Sequence, residues 1–246
     1  MSIKVNAFAE KAYKYFRKVG MTKAGACGLM GNIYSESAGF LANRVEFLCI
    51  KRIKEYWGET YTHETYTEAV NNGKISRERF LNPLPGKQYG YGAVQWTTPS
   101  RKAGLYDRTV AVGKSIADED AQLDYIIYEL ENKYQSVMKV LKTTDSVKEA
   151  SDKVLKDFES PANWQSLSAT RAGYGQNYYD YFKDDVKDES EVTKVTKTEA
   201  INKLIEIAKG EIGYLEKKSN SQLDDKTANA GYGNYTKYWR DVYPAY

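Results

Sequence analysis

One apolar pattern restricts this chain more than any other. Between residues 119 and 141, Leu123, Ile126, Ile127, Leu130, Tyr134, Val137, Met138 and Leu141 recur at intervals of 3, 1, 3, 4, 3, 1 and 3. That spacing follows the 3.6-residue period of a helix with one buried face and does not fit the strict alternation of a half-buried strand. It predicts a central amphipathic helix over 119–141, whose apolar face must be covered by other elements. The same period runs through Val5, Phe8, Ala9, Ala12, Tyr13 and Phe16, with Gly20 as a stop. Thr22 then reads as the N-cap of a second helix carrying Ala26, Leu29, Met30 and Ile33, running to about Ser37 and ending near Gly39. Further helices are expected at 46–57, 64–71, 146–158 and 165–182. The stretch "NPLPGKQYGYGAVQW" leaves room only for a small glycine-rich hairpin or loop. The fold class expected is mainly α.

After Phe182 the composition changes. "KDDVKDESEVTKVTKTE" is charged, rich in threonine and free of aromatics, which reads as a linker over 184–199 between a first domain, 1–183, and a last segment, 200–246. That segment opens with a helical pattern at Ala200, Leu204, Ile205 and Ile207, but it is too short to bury much surface and reads as part of a domain.

Composition removes most chemistries. No apolar run approaches the roughly 18 residues of a membrane span, and "MSIKVNAFAEKAYKYF" lacks the zones of a signal peptide, so neither membrane insertion nor a secretory route is expected. The net charge of +3 comes without a basic tail or stripe, which argues against nucleic acid as a partner. Two cysteines, Cys27 and Cys49, make neither a disulfide framework nor a zinc site, and Cys27 falls in an apolar helical pattern. The single histidine, His63, stands near no G-x-S-x-G or H-E-x-x-H motif. No metal or cofactor is expected, and carboxylate chemistry remains.

The most informative carboxylate is Glu36, in "GNIYSESAGF". It lies three residues after Ile33 and seven after Leu29, on the core face and in the last helical turn. With no obvious partner, burial there and the negative end of the helix dipole both favour a carboxyl that holds its proton. A general acid for a glycosidic oxygen needs that property. Gly31, Ser35, Ser37, Ala38 and Gly39 leave room for a bulky substrate. The alternative is an inert glutamate at a fraying helix end. A second carboxylate is not named by the sequence; Glu46, in "NRVEFLC", is the candidate, with Glu55, Glu59 and Asp107 behind it. In "GYGAVQWT", Tyr91, Gln95 and Trp96, with Thr97 beside them and Tyr34 on the second helix, offer the flat faces and polar groups that line carbohydrate clefts. The competing reading is a hairpin whose Trp96 simply fills the core.

Four separated motifs, "ACGLMGNIYSESAGF", "YGYGAVQWTTPSRKAGLYD", "DEDAQLDYIIYELEN" and "DFESPANWQSLSATRAGYGQNYYDYF", together resemble the lysozyme-like domain of phage endolysins and phage tail lysins over about residues 5–183. The resemblance implies a lysozyme-like helical fold and the glycan strands of peptidoglycan as partner. It places Glu36 at the family's catalytic glutamate and "GYGAVQW" at its cleft motif, and makes the "QLDYIIYEL" helix and Arg171 scaffold. It implies a cell-wall hydrolase, an N-acetylmuramidase with Glu36 as general acid; a lytic transglycosylase or N-acetylglucosaminidase on the same fold is the alternative. A non-catalytic wall-binding or tail structural module is the alternative of another class. Synthesis in the host cytoplasm and delivery by a holin or with a virion fit the missing signal. The tail, "AKGEIGYLEKKSNSQLDDKTANAGYGNYTKYWRDVY", resembles the opening of a cysteine- and histidine-dependent amidohydrolase/peptidase (CHAP) domain. Neither residue occurs beyond position 63, so the tail cannot perform thiol chemistry.

Overall fold

The computed structural model describes residues 3–182, 201, 205, 206 and 208–238. Contacts divide the chain into two units, 1–185 and 186–246. The expected linker 184–199 lies outside the described residues, as do Leu204 and Ile207 of the expected helix.

Among the described residues of the first unit, ten α-helices follow one another: α1 Ala7–Lys18, α2 Lys23–Glu36, α3 Phe47–Trp57, α4 His63–Asn71, α5 Arg77–Leu81, α6 Pro99–Arg108, α7 Glu119–Asn132, α8 Gln135–Thr143, α9 Val147–Lys153 and α10 Trp164–Tyr181. The fold is mostly helical, as expected. No strand occurs among the described residues, and the backbone pairing of the glycine-rich stretch is limited to isolated antiparallel bridges, Val45 with Tyr91, Leu84 with Lys87 and Tyr91 with Trp96. No helix of the described residues is long and apolar enough to cross a membrane.

The hub is α2, which packs against α1, α8, α9 and α10. Every residue from Ala24 to Ile33 is buried, so this helix has no solvent face over most of its length. Such enclosure requires a thin helix. A Cβ at Gly28 would lie 2.5 Å from Ala150 Cβ of α9, and one at Gly31 would lie 2.4 Å from the Arg171 carbonyl oxygen of α10. Thr22 caps α2 as expected, its hydroxyl oxygen accepting from Gly25 N at 2.9 Å. The same hydroxyl donates to the Thr144 carbonyl at 2.6 Å, fixing the start of α2 to the end of α8.

The single helix expected over 119–141 is two helices, α7 and α8. Tyr134 leaves helical geometry, with φ −125° and ψ 45°, and sets its ring edge-on against Phe158 at 5.0 Å. The apolar face survives the break, since Leu123, Ile126, Leu130, Val137 and Leu141 are all fully buried. The helix expected over 146–158 is α9 followed by a π-helical turn, Val154–Glu159, which stops at Ser160 with φ 51°. Two helices have no expected counterpart. The α6 helix starts with Thr98 as N-cap and Pro99 in its first turn but buries only Lys102 and Leu105, so its apolar stripe is too thin to detect.

In the second unit, Lys217 pairs through its backbone with Ala230 and with Tyr235, and the Tyr214 hydroxyl donates to the Leu223 carbonyl at 2.8 Å.

Candidate active site

Glu36 is the last residue of α2 and is half-buried. Beyond it the chain turns sharply. Ser37 donates its hydroxyl to the Ile33 carbonyl at 2.7 Å, and Ala38, Gly39 and Phe40 follow with φ of 53°, 105° and 62°. The left-handed region is unfavourable for the two side chains that flank that glycine, Ala38 and Phe40, and such strain clusters at functional sites. The expectation of an unpartnered carboxylate is corrected, because Arg171 Nη2 of α10 donates to Glu36 Oε1. Arg171, expected as scaffold, is thus the ion-pair partner. It is 6% exposed, and its Nη1 lies 3.4 Å from Asn32 Oδ1. Asn32 is fixed in turn by donating to the Gly28 carbonyl at 3.0 Å and to the Ser151 carbonyl and hydroxyl at 3.1 Å each. The guanidinium therefore approaches Glu36 from a rigid wall formed by α2, α9 and α10.

A second carboxyl group, half-buried and missed by sequence reasoning, interacts electrostatically with this cluster without a hydrogen bond to it. Glu159 ends the π-helical turn as Glu36 ends α2, and each is followed by a serine, "SES" and "FES". Glu159 Oε1 is buried without a protein hydrogen-bond partner, and so is Arg171 Nε. Burial first, and then the charge of Glu36, push the Glu159 carboxyl well above the usual carboxylate range, up to about 8, with Arg101 and Arg171 opposing. Arg101 itself is engaged by Glu129, which is fully buried: Nε donates to Oε1 at 2.9 Å and Nη2 to Oε2 at 2.8 Å. Trp96 Nε1 donates to the same Glu129 Oε2 at 2.8 Å.

The cleft residues expected from "GYGAVQWT" need correction. Trp96 is 0% and Tyr91 1% exposed, so neither offers a ring to a ligand. Trp96 stacks on Tyr125 at 5.3 Å, and the Tyr91 hydroxyl bonds the Thr67 hydroxyl at 2.7 Å. Gln95, at φ 48°, donates its amide to the Arg44 and Gly92 carbonyls at 3.0 and 2.9 Å, which leaves only its carbonyl oxygen for a ligand. Thr97 is half-buried and donates to the Gln95 carbonyl at 2.8 Å. Tyr34 is half-buried, with its ring against Tyr174 at 4.7 Å.

The carboxylates proposed from sequence as partners of Glu36 have other attachments. Glu46 accepts from Gly90 N at 3.0 Å and fastens α3 to the glycine-rich loop. Glu59 pairs with Lys74 at 2.9 Å, Asp107 pairs with Arg77 at 3.2 Å, and Glu55 is exposed on α3. His63 Nδ1 lies 3.2 Å from Val45 N and Nε2 lies 2.8 Å from Arg44 Nη1. Burial and then the Arg44 charge lower its pKa, which suits a neutral structural imidazole. Both cysteines are buried and free, and burial pushes their thiols up to about 12. Among the described residues, no group of three or more His, Cys, Asp or Glu side chains could hold a metal ion. A surface hollow lined by Lys148, Lys156 and Trp164, among others, contains neither Glu36 nor Glu159.

The family model described as phage tail lysozyme matches residues 7–182, which takes in all ten helices of the first unit. No curated protein matches the chain.

Proposed function

The chain belongs to the phage tail lysozyme family, and on that premise we propose that it is an N-acetylmuramidase in which Glu36 is the general acid. Family membership carries the coarser statement, a lysozyme-like lysis of peptidoglycan. The finer one rests on Glu36 itself. Its carboxylate stands half-buried at the mouth of an enclosed helix, held from one side by Arg171 and flanked by Ser35, Ser37, Ala38 and Gly39, which leave a sugar room to approach. In this mechanism Glu36 protonates the oxygen that joins N-acetylmuramic acid to N-acetylglucosamine, an oxocarbenium-like transition state follows, and water completes the cleavage. Arg171 fixes where that carboxyl stands. Proton donation begins when Glu36 is protonated and has let go of the guanidinium.

The test is Glu36→Gln on purified peptidoglycan. Release of reducing ends should fall by at least about 10²-fold with the fold intact, the scale expected for a lost general acid. Retained activity would exclude Glu36 as the acid. Mass spectrometry of the products then identifies the bond: reducing muramic acid marks a muramidase, reducing glucosamine a glucosaminidase, and a 1,6-anhydro product a transglycosylase. For the rest of the chain we propose a linker over 184–199 and a CHAP-like segment over 200–246. No thiol-dependent peptidase activity is expected of that segment, since it contains neither Cys nor His.

A further inference from the structure

Three of the four tryptophans lie among the described residues, and two of them serve the core: Trp96 is part of it and Trp57 packs against it. Trp164, at the start of α10, belongs to neither group. It stands half-buried on the wall of an open hollow of about 490 Å³, a volume within the range of small-ligand sites. A lone surface aromatic needs no explanation, but one that walls a hollow beside a cation does.

The hollow lies on the outer side of α9, away from the carboxylate of α2. On the inner side Ala150 lies against Gly28, and the Ser151 carbonyl accepts from Asn32 Nδ2 at 3.1 Å. On the outer side the charges are unequally engaged. Lys148 pairs with Asp152, and Lys153 pairs with Asp157 at 2.6 Å. Ser168 donates to Asp152 Oδ1 at 2.6 Å, and the Thr144 hydroxyl donates to Glu149. Lys156 is exposed and among the described residues meets no carboxylate; its Nζ stands 5.6 Å from the centroid of the Trp164 ring. The acids are thus satisfied within the protein, and one ammonium is left over beside a flat apolar face.

Those two groups together describe a ligand. A pyranose offers an apolar C–H face to an aromatic ring, and a carboxylate satisfies an ammonium. A neutral sugar uses only the ring, and an inorganic anion only the cation. A muramyl residue uses both, because its sugar ring carries a lactyl ether and a peptide that ends in carboxylates. The open shape of the hollow also lets a strand run on beyond the sugar that is held.

We propose that this hollow is a second glycan site, which holds a muramyl residue of the wall through Trp164 and Lys156, outside the catalytic cleft. The inference rests on peptidoglycan as the partner of this domain and is independent of Glu36 as its acid. Two contacts on opposite sides of α9 keep the protein on the wall between cleavages, since release of one leaves the other engaged.

The experiment measures sedimentation of the full chain with purified sacculi, before and after their phosphate polymers are stripped, for the unmodified protein, Trp164→Ala and Lys156→Gln. Trp164→Ala should raise the apparent Kd about tenfold. Lys156→Gln should raise it about threefold and weaken its dependence on salt. Both variants should cleave a short soluble glycan with the original kcat and KM. Unchanged sacculus binding in both variants overturns the inference. So does binding that disappears when the phosphate polymers are stripped, which would assign the hollow a phosphate ligand. If Trp164→Ala does not fold, N-acetylmuramyl dipeptide is titrated into the unmodified protein. The Trp164 indole resonance, identified by its absence in Trp164→Phe, should move, and an unmoved resonance overturns the inference. The two readings separate cleanly. An active Glu36→Gln beside weakened binding by Trp164→Ala removes the acid and keeps this site, whereas an inactive Glu36→Gln beside unchanged binding in both variants overturns only this one.

Discussion

The glycine-rich loop and the end of α2 both bring polar side chains into the interior, and they differ in how completely those side chains are paired. In the loop, both amide hydrogens of Gln95, the indole of Trp96 and the hydroxyl of Tyr91 each meet a partner, and Gln122 accepts from Ala93 N while donating to the Ala42 and Ile116 carbonyls. Around the end of α2, Arg171 Nε is buried with none, and so is Glu159 Oε1 at the end of the π-helical turn. An unpaired buried polar atom costs about 1–3 kcal/mol, so the two regions differ in how much stability their polar groups return. The loop is frame, although it holds the aromatics and amide that look like a sugar site. On the proposed reading the charged cluster at Glu36 is the reactive part, although Arg171 looks like frame.

The sharpest way to break this contrast is to remove the guanidinium. Arg171→Met should lower unfolding free energy by about 3 kcal/mol in a denaturant melt, because Glu36 would lose its cation and Asn32 a neighbour. Its kcat should fall as well. Trp96→Phe is the counterpart in the loop. Without the indole donor, Glu129 loses one of three bonds, at a cost of about 2 kcal/mol, yet kcat at 25 °C should be unchanged. A lowered kcat in a folded Trp96→Phe protein would place the loop inside the site after all. A smaller effect concerns His63. Its folded-state pKa is depressed, so the stabilisation is present above the unfolded value of about 6.5 and is lost as pH falls through the folded one. Equilibrium unfolding should show this acid-side loss, and His63→Gln should flatten it. The smallest effect is none: iodoacetamide should leave glycan cleavage untouched, since Cys27 and Cys49 are buried thiols far above their reactive range.

The parts visible in sequence are those decided within one or two helical turns. The mainly helical class, the Thr22 cap, the end of α2 near Glu36 and the burial of Cys27 all follow from spacing and local chemistry. What stayed hidden depends on distant contacts. Arg171 reaches Glu36 across 135 residues, and no local pattern announces that meeting. At the break, Tyr134 packs against Phe158, which belongs to another element and gives no local sign of the contact. In "GYGAVQW" the residue types fit a carbohydrate cleft and a packed core equally well, and only Glu129 and Thr67 tell them apart. Glu159 had a faint signal, the second "ES" at a helix end, which becomes meaningful only beside the first.

The π-helical turn Val154–Glu159 makes the bearing of Glu159 a matter of residue count. Such a turn accommodates one residue more than the α-helical spacing, so deleting a single residue from it would restore that spacing and swing whatever follows by about 100° around the axis. The glutamate would still be in the chain, with the same neighbours in sequence, and would face elsewhere. Length changes in this one turn are therefore a more searching probe of the site than substitutions, because they preserve the side chain and alter only its direction.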